Sequence, residues 1–128
     1  DIYADKNGKA KGVIARSRDV VVNGESQITT TVDHPKLEKL AAELTEKLKL
    51  YGHLVLQVII DKADQLHIIE CNSRFGGAST LSLHCGLDSF YWALLEATEN
   101  NIDEYPFLKS KRKQSQIRFP EDIIVDAN

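Results

Sequence analysis

Gln57, Glu70, Asn72 and Arg74 are the residues whose types and spacing could do chemistry. Glu70 and Asn72 stand two apart, the separation that puts strand side chains on one face. Carboxylate and amide oxygens are hard donors, suited to Mg²⁺ or Mn²⁺. Magnesium takes only one or two protein carboxylates and completes its octahedron with water and substrate phosphates. A Glu-x-Asn pair with one neighbouring amide is therefore a sufficient minimal site. Arg74 follows, and a guanidinium clamps phosphate oxygens with paired hydrogen bonds. Gly76-Gly77 then supplies a loop whose backbone N–H groups can approach an anion closely. Ser79, Thr80 and Ser82 add hydroxyl donors.

These groups converge only if two strands hold them. Leu54 to Ile60 and Leu66 to Asn72 read as strands, joined by the polar loop from Asp61 to Gln65. Antiparallel pairing about Ala63-Asp64 sets Gln57 opposite Glu70 and Val55 opposite Asn72. Opposed residues share a face, so three oxygen-bearing side chains meet on one side. Leu54, Leu56, Val58, Ile60, Ile69 and Cys71 fall on the other side, which suits a core. A slip of one residue would turn Gln57 away. The same spacing also fits the exposed polar face of a half-buried hairpin. Taken singly, Arg74 fits a surface ion pair, and Gly76-Gly77 an ordinary turn.

The rest of the chain supplies the frame. Ile2-Tyr3 is strand-like, and Asn7-Gly8 within Asp5–Lys9 has hairpin-turn chemistry. A second strand-like run extends from Gly12 to Val22, Asn23-Gly24 makes a turn, and Ile28 to Val32 is again strand-like. Asp33-His34-Pro35 reads as a helix start. Leu37, Leu40, Ala41, Leu44 and Leu48 form one apolar stripe, with Gly52 as the stop. Ser73 to Gly86 reads as mostly loop with a short helix. Ser89 begins a helix to about Glu99, burying Phe90, Leu94 and Leu95 or their neighbours. Gln116 to Val125 is a final strand. His34, His53 and His84 read as cap, turn or surface residues. Tyr91 and Trp92 read as core or subunit contact, and Lys111-Arg112-Lys113 as a solvated run.

Glu70-Cys71-Asn72-Ser73-Arg74-Phe75-Gly76-Gly77 strongly resembles the signature of the ATP-grasp superfamily. Its Phe-Gly-Gly is similar to the branch related to carbamoyl-phosphate synthase and amino-acid ligases. The likeness runs from about Asp1 to Glu99. It departs at Ser73, where relatives often have Pro, and at Gln57, which is neutral where some relatives use a carboxylate. The resemblance implies an α+β fold, a mainly antiparallel sheet packed with helices, as the C-terminal subdomain of an ATP-grasp domain. It implies ATP and Mg²⁺ (or Mn²⁺) as cofactors. Glu70 and Asn72 would hold metal bridging the ATP phosphates, with Gln57 assisting. Gln57, Glu70 and Arg16 would contact the nucleotide phosphates, and Arg74 would stabilise the transferring phosphoryl group. Gly76, Gly77 and Ser79 would shape the acceptor pocket. The reaction implied is activation of a carboxylate as an acyl-phosphate, attacked by an amine or similar nucleophile.

At 128 residues the chain suits a single domain. Its net charge of −3, with both signs interspersed, gives no basic footprint for nucleic acid. No apolar run approaches the roughly 20 residues needed to span a bilayer. Cys71 and Cys85 are too few for a disulfide scaffold and read as reduced thiols of a cytoplasmic protein, a single bridge being the alternative. The absence of methionine and a start inside a strand-like run read as a piece of a longer polypeptide, inactive alone, a removed start residue or an expression tag being the alternative. The partners expected are the N-terminal ATP-grasp region, small-molecule carboxylate and amine substrates and, through uncovered apolar surface, a second copy as a homodimer. Two other readings stay open. One is a non-catalytic α+β protein-interaction module. The other is a zinc site using His67 and Cys71 with His84 or Cys85, which no paired CxxC spacing supports.

Overall fold

Side-chain alternation along the short first strand decides the layering. In a computed structural model, which describes residues 1–119 with 121 and 124, β1 spans Ile2–Ala4. Ile2 and Ala4 meet Ala41 and Leu54 in one buried cluster. Tyr3 points the other way, into a cluster with Ile14, Leu81, Leu87 and Trp92. Its ring lies 5.5 Å from that of Trp92, and its hydroxyl donates to Glu96 Oε2 at 2.8 Å.

β1 is central in a four-stranded antiparallel sheet of order β2-β1-β5-β6, where β2 is Ala10–Val13, β5 Gly52–Ile60 and β6 Leu66–Asn72. A second antiparallel sheet has the order β3-β4-β7, with β3 Arg16–Val22, β4 Glu25–Thr31 and β7 Ser115–Ile117. The helices are α1 (Pro35–Leu48), α2 (Ser79–His84) and α3 (Ser89–Ala97), followed by a 3-10 turn at Ile102–Glu104. The fold is α+β, two antiparallel sheets packed with three α-helices among the described residues, as expected.

The single strand expected from Gly12 to Val22 is two. β2 ends at Val13 and β3 begins at Arg16, in different sheets. Ile14 and Ala15 between them are buried, with the Ile14 N–H bonded to the Asp1 carbonyl and the Ala15 carbonyl to the Val32 N–H. Alternation continues through this step, so no turn residue marks it. At Asn23-Gly24 both φ angles are positive, 51° and 81°, the geometry of a tight hairpin turn between β3 and β4.

Helix α1 starts as expected, with the Leu37 N–H donating to His34 Nδ1 at 3.1 Å and Pro35 in the first turn. It stops earlier than Gly52. Lys49 takes the left-handed conformation, φ 53°, and its N–H bonds to the Thr45 carbonyl. Gly52 instead opens β5. The expected stripe also shifts: Thr45 is fully buried with Ala41, and Leu48 is exposed. In α3 the buried anchor is Trp92, whereas Phe90 and Leu94 lie outside. The final strand covers only Ser115–Ile117 of the expected run, part of which falls outside the described residues. Among the described residues no helix is long and apolar enough to cross a membrane.

Candidate functional site

β5 and β6 pair with Val55 opposite Asn72 and Gln57 opposite Glu70. The three side chains expected to converge therefore share a face, and all three line one open cleft of about 630 Å³. A β-bulge follows, because the register changes by one between Gln57 and Val58. The opposite face is less of a core than expected. Leu54 is buried and Leu56 half-buried, but Ile60 and Cys71 are exposed and Ile69 is 51% exposed. At the hairpin tip the contact with α1 is an exposed ion pair, Lys36 with Asp64.

The cleft is walled by the second sheet, and that brings arginines to it. Arg16, Arg18, Arg74 and Arg118 all line it, as do Gly76 and Gly77. Arg18 binds across the two sheets: Nη1 donates to Gln57 Oε1 at 2.8 Å, Nη2 to the Gly24 carbonyl at 2.6 Å, and Nε to Ser26 Oγ at 2.9 Å. Arg118 donates to Glu25 Oε2 at 3.2 Å and lies against Gly77, where an added Cβ would come 2.7 Å from its Nη1. Arg74 is exposed and donates to the Phe75 carbonyl at 3.2 Å. A wall of guanidinium groups around Glu70 suits a polyanion such as a nucleoside triphosphate.

Arg16 is not solvated, and a buried carboxylate holds it at the cleft wall. Its Nε and Nη2 donate to the two oxygens of Asp1 at 2.7 and 3.1 Å, with the Arg16 side chain 10% exposed and that of Asp1 fully buried. Burial lowers the Arg16 pKa from its usual value. Ser79 and Ser82 also donate to the Asp1 carboxylate. Ser79, expected to shape the acceptor pocket, is buried. It lies beneath the cleft floor, its hydroxyl given to Asp1 and its oxygen accepting the Gly76 N–H at 3.0 Å.

Residues 1–119 match the model of a family described as ATP-grasp in the biosynthetic pathway with Ter operon. The chain belongs to the ATP-grasp family. No curated protein matches it. The ATP-grasp match extends past Glu99 and takes in β7, beyond the reach of the resemblance seen in the sequence.

The donor set fits a magnesium ion of the kind ATP-grasp chemistry implies, in part. Glu70 is an exposed carboxylate and Asn72 a half-buried amide on the same face, both hard oxygen donors beside a cationic wall for phosphates. Gln57 is different, because its oxygen is already taken by the Arg18 cation. The zinc alternative finds no support in geometry: His67 is paired with Asp61, and no group of three or more His, Cys, Asp or Glu forms a metal cluster among the described residues. Cys71 and Cys85 are both free thiols.

Sequence reasoning missed Arg18, Arg118, Asp1 and His53. The arginines carry no spacing signal, since only the docking of one sheet on the other brings them to the cleft. His53 is no cap or surface residue. It is buried on β5, opposite Tyr3.

Proposed function

We propose that this chain is the metal- and ATP-phosphate-binding part of an ATP-dependent ligase that activates a carboxylate as an acyl-phosphate for attack by an amine. One observation carries the reading: Gln57, Glu70 and Asn72 open from one strand face into a cleft walled by Arg18, Arg74 and Arg118. Glu70 and Asn72 would hold the ion, with Gln57 available once Arg18 lets go. When bound, magnesium neutralises charge on the phosphates. Arg74 stabilises the charge spreading over the transferring phosphoryl oxygens. The Gly76 and Gly77 backbone shapes the floor where the acceptor carboxylate lies. The carboxylate oxygen takes the γ-phosphoryl group as ADP departs, and the amine then displaces phosphate from the acyl carbon.

The remaining parts come from a preceding ATP-grasp region, with its phosphate-binding lysine and adenine-binding hinge. Phe75-Gly76-Gly77 supports a branch akin to carbamoyl-phosphate synthase. The family's Ter-operon description supports a small-molecule biosynthetic substrate. A cytoplasmic setting accords with two free thiols. The test is ADP release by the parent polypeptide with MgATP across a panel of carboxylates and amines. Turnover that needs both substrates and the preceding region is expected. Ligation by the 128-residue chain alone would overturn the incomplete-site reading.

A further inference from the structure

His53 lies on the same face of β5 as Gln57 but is walled off from the cleft, and it contacts Phe75 of the signature loop and the starts of α2 and α3. Its ring stacks on Phe75 with centroids 3.8 Å apart and planes 14° from parallel. Phe75 stacks in turn on Phe90 at 4.0 Å and 12°. His53 Nδ1 is 2.8 Å from Ser89 Oγ, at the start of α3, and Nε2 is 3.3 Å from Ser79 Oγ, at the start of α2.

Proton counting orients these bonds. The Asp1 carboxylate only accepts, so the single Ser79 hydroxyl proton goes to it. Ser79 Oγ is left to accept from the Gly76 N–H and from His53 Nε2–H. A neutral imidazole then presents Nδ1 as an acceptor for the Ser89 hydroxyl, whose one proton turns to it at 2.8 Å rather than to the Leu87 carbonyl at 3.2 Å. A buried ring beside Arg16 is expected to be neutral, and its pKa is lowered to about 4, chiefly by burial. Phe75 is thus clamped by its ring, Gly76 by its N–H, and Arg74 donates to the Phe75 carbonyl.

We propose that His53 is a positioning residue for the Arg74–Gly77 loop, acting through the Phe75 ring and the Ser79–Gly76 bond to hold Arg74 for phosphoryl transfer. The inference rests on the ligase reading above. Misplacing a group by about 1 Å can cost on the order of a hundredfold in rate, whereas ATP affinity, spread over many contacts, should change little.

The experiment is steady-state kinetics on the parent polypeptide with MgATP. Phe75→Leu keeps bulk but loses the flat face, and is expected to lower kcat about tenfold or more with KM for ATP within about threefold. Phe75→Tyr keeps the face and should restore kcat to within about twofold. His53→Leu should match the Phe75→Leu loss, and the double variant should be no worse than the poorer single, since both act through one device. Unchanged kcat in folded Phe75→Leu, or losses that multiply in the double variant, overturns the proposal. Should His53→Leu fail to fold, the Phe75 pair decides alone. Glu70→Ala separates the two readings: full turnover there overturns the ligase reading, whereas its loss beside an unaffected Phe75→Leu overturns only the role of His53.

Discussion

Arg18 donates to Gln57 Oε1 at 2.8 Å, directly across the strand pair from Glu70. A guanidinium therefore sits where a metal ion would reach Gln57. The two candidate metal residues should then differ in weight. Glu70→Ala removes the only carboxylate among the three ligand candidates and should abolish metal-dependent turnover in the parent, a loss of roughly a thousandfold. Gln57→Ala removes a neutral oxygen bonded to one cation and should cost about tenfold. Mn²⁺ titration beside kcat/KM checks both. Equal losses would place Gln57 on the metal as firmly as Glu70.

The Asp1–Arg16 pair should matter to stability more than any exposed ion pair here. Its carboxylate is fully buried, with two serine hydroxyls completing its acceptors. Removing one partner of such a pair strands the other charge and typically costs about 3–5 kcal/mol. Arg16→Ala is expected to fall in that range by urea denaturation. Lys39→Ala, at an exposed pair with Glu43, should change stability by less than about 0.5 kcal/mol.

Acid should destabilise the fold through His53. Burial, with the Arg16 cation nearby, lowers its pKa from 6.5 to about 4. With the folded value below the unfolded one, its contribution is intact above about pH 6.5 and is lost as pH falls toward 4. Comparing melting temperatures of the native chain and His53→Phe from pH 8 to 4 isolates the imidazole. A parallel fall in both would remove it from the account.

Thiol labelling should count one cysteine in the folded chain. Cys71 is exposed and Cys85 buried. A maleimide should modify Cys71 within minutes and Cys85 only in denaturant, read by mass spectrometry. Rapid double labelling of native protein would contradict the packing around α2.

The hairpin was legible because its chemistry is local. Alternating apolar residues, a short polar loop and a two-residue spacing placed Gln57 opposite Glu70 and Val55 opposite Asn72, but the turn expected about Ala63-Asp64 is off by one: Ile60 pairs with Leu66, and the bulge restores the expected register from Gln57 onward. Whatever depends on one element docking on another was hidden. Ile14-Ala15 carries no turn residue, so the passage between sheets reads as unbroken strand. Arg18 and Arg118 look like any surface arginines until the second sheet folds over the first. His53 follows a glycine, which suggests a turn, yet the strand has already begun there. Trp92 displaced Phe90 as the helix anchor because a partner, Tyr3, waits beneath it.

The bulge beside Gln57 has an evolutionary corollary. The loop end of the hairpin pairs Ile60 with Leu66 and Val58 with Ile68. Carried on unbroken, that phase would bring Glu70 opposite Leu56 and Asn72 opposite Leu54, delivering both to the greasy underside facing α1. One surplus residue in β6 thus decides whether Glu70 and Asn72 share the face of Gln57. Drift in the length of the hairpin tip can be absorbed there, whereas an indel on the Asn72 side of it would have no such buffer.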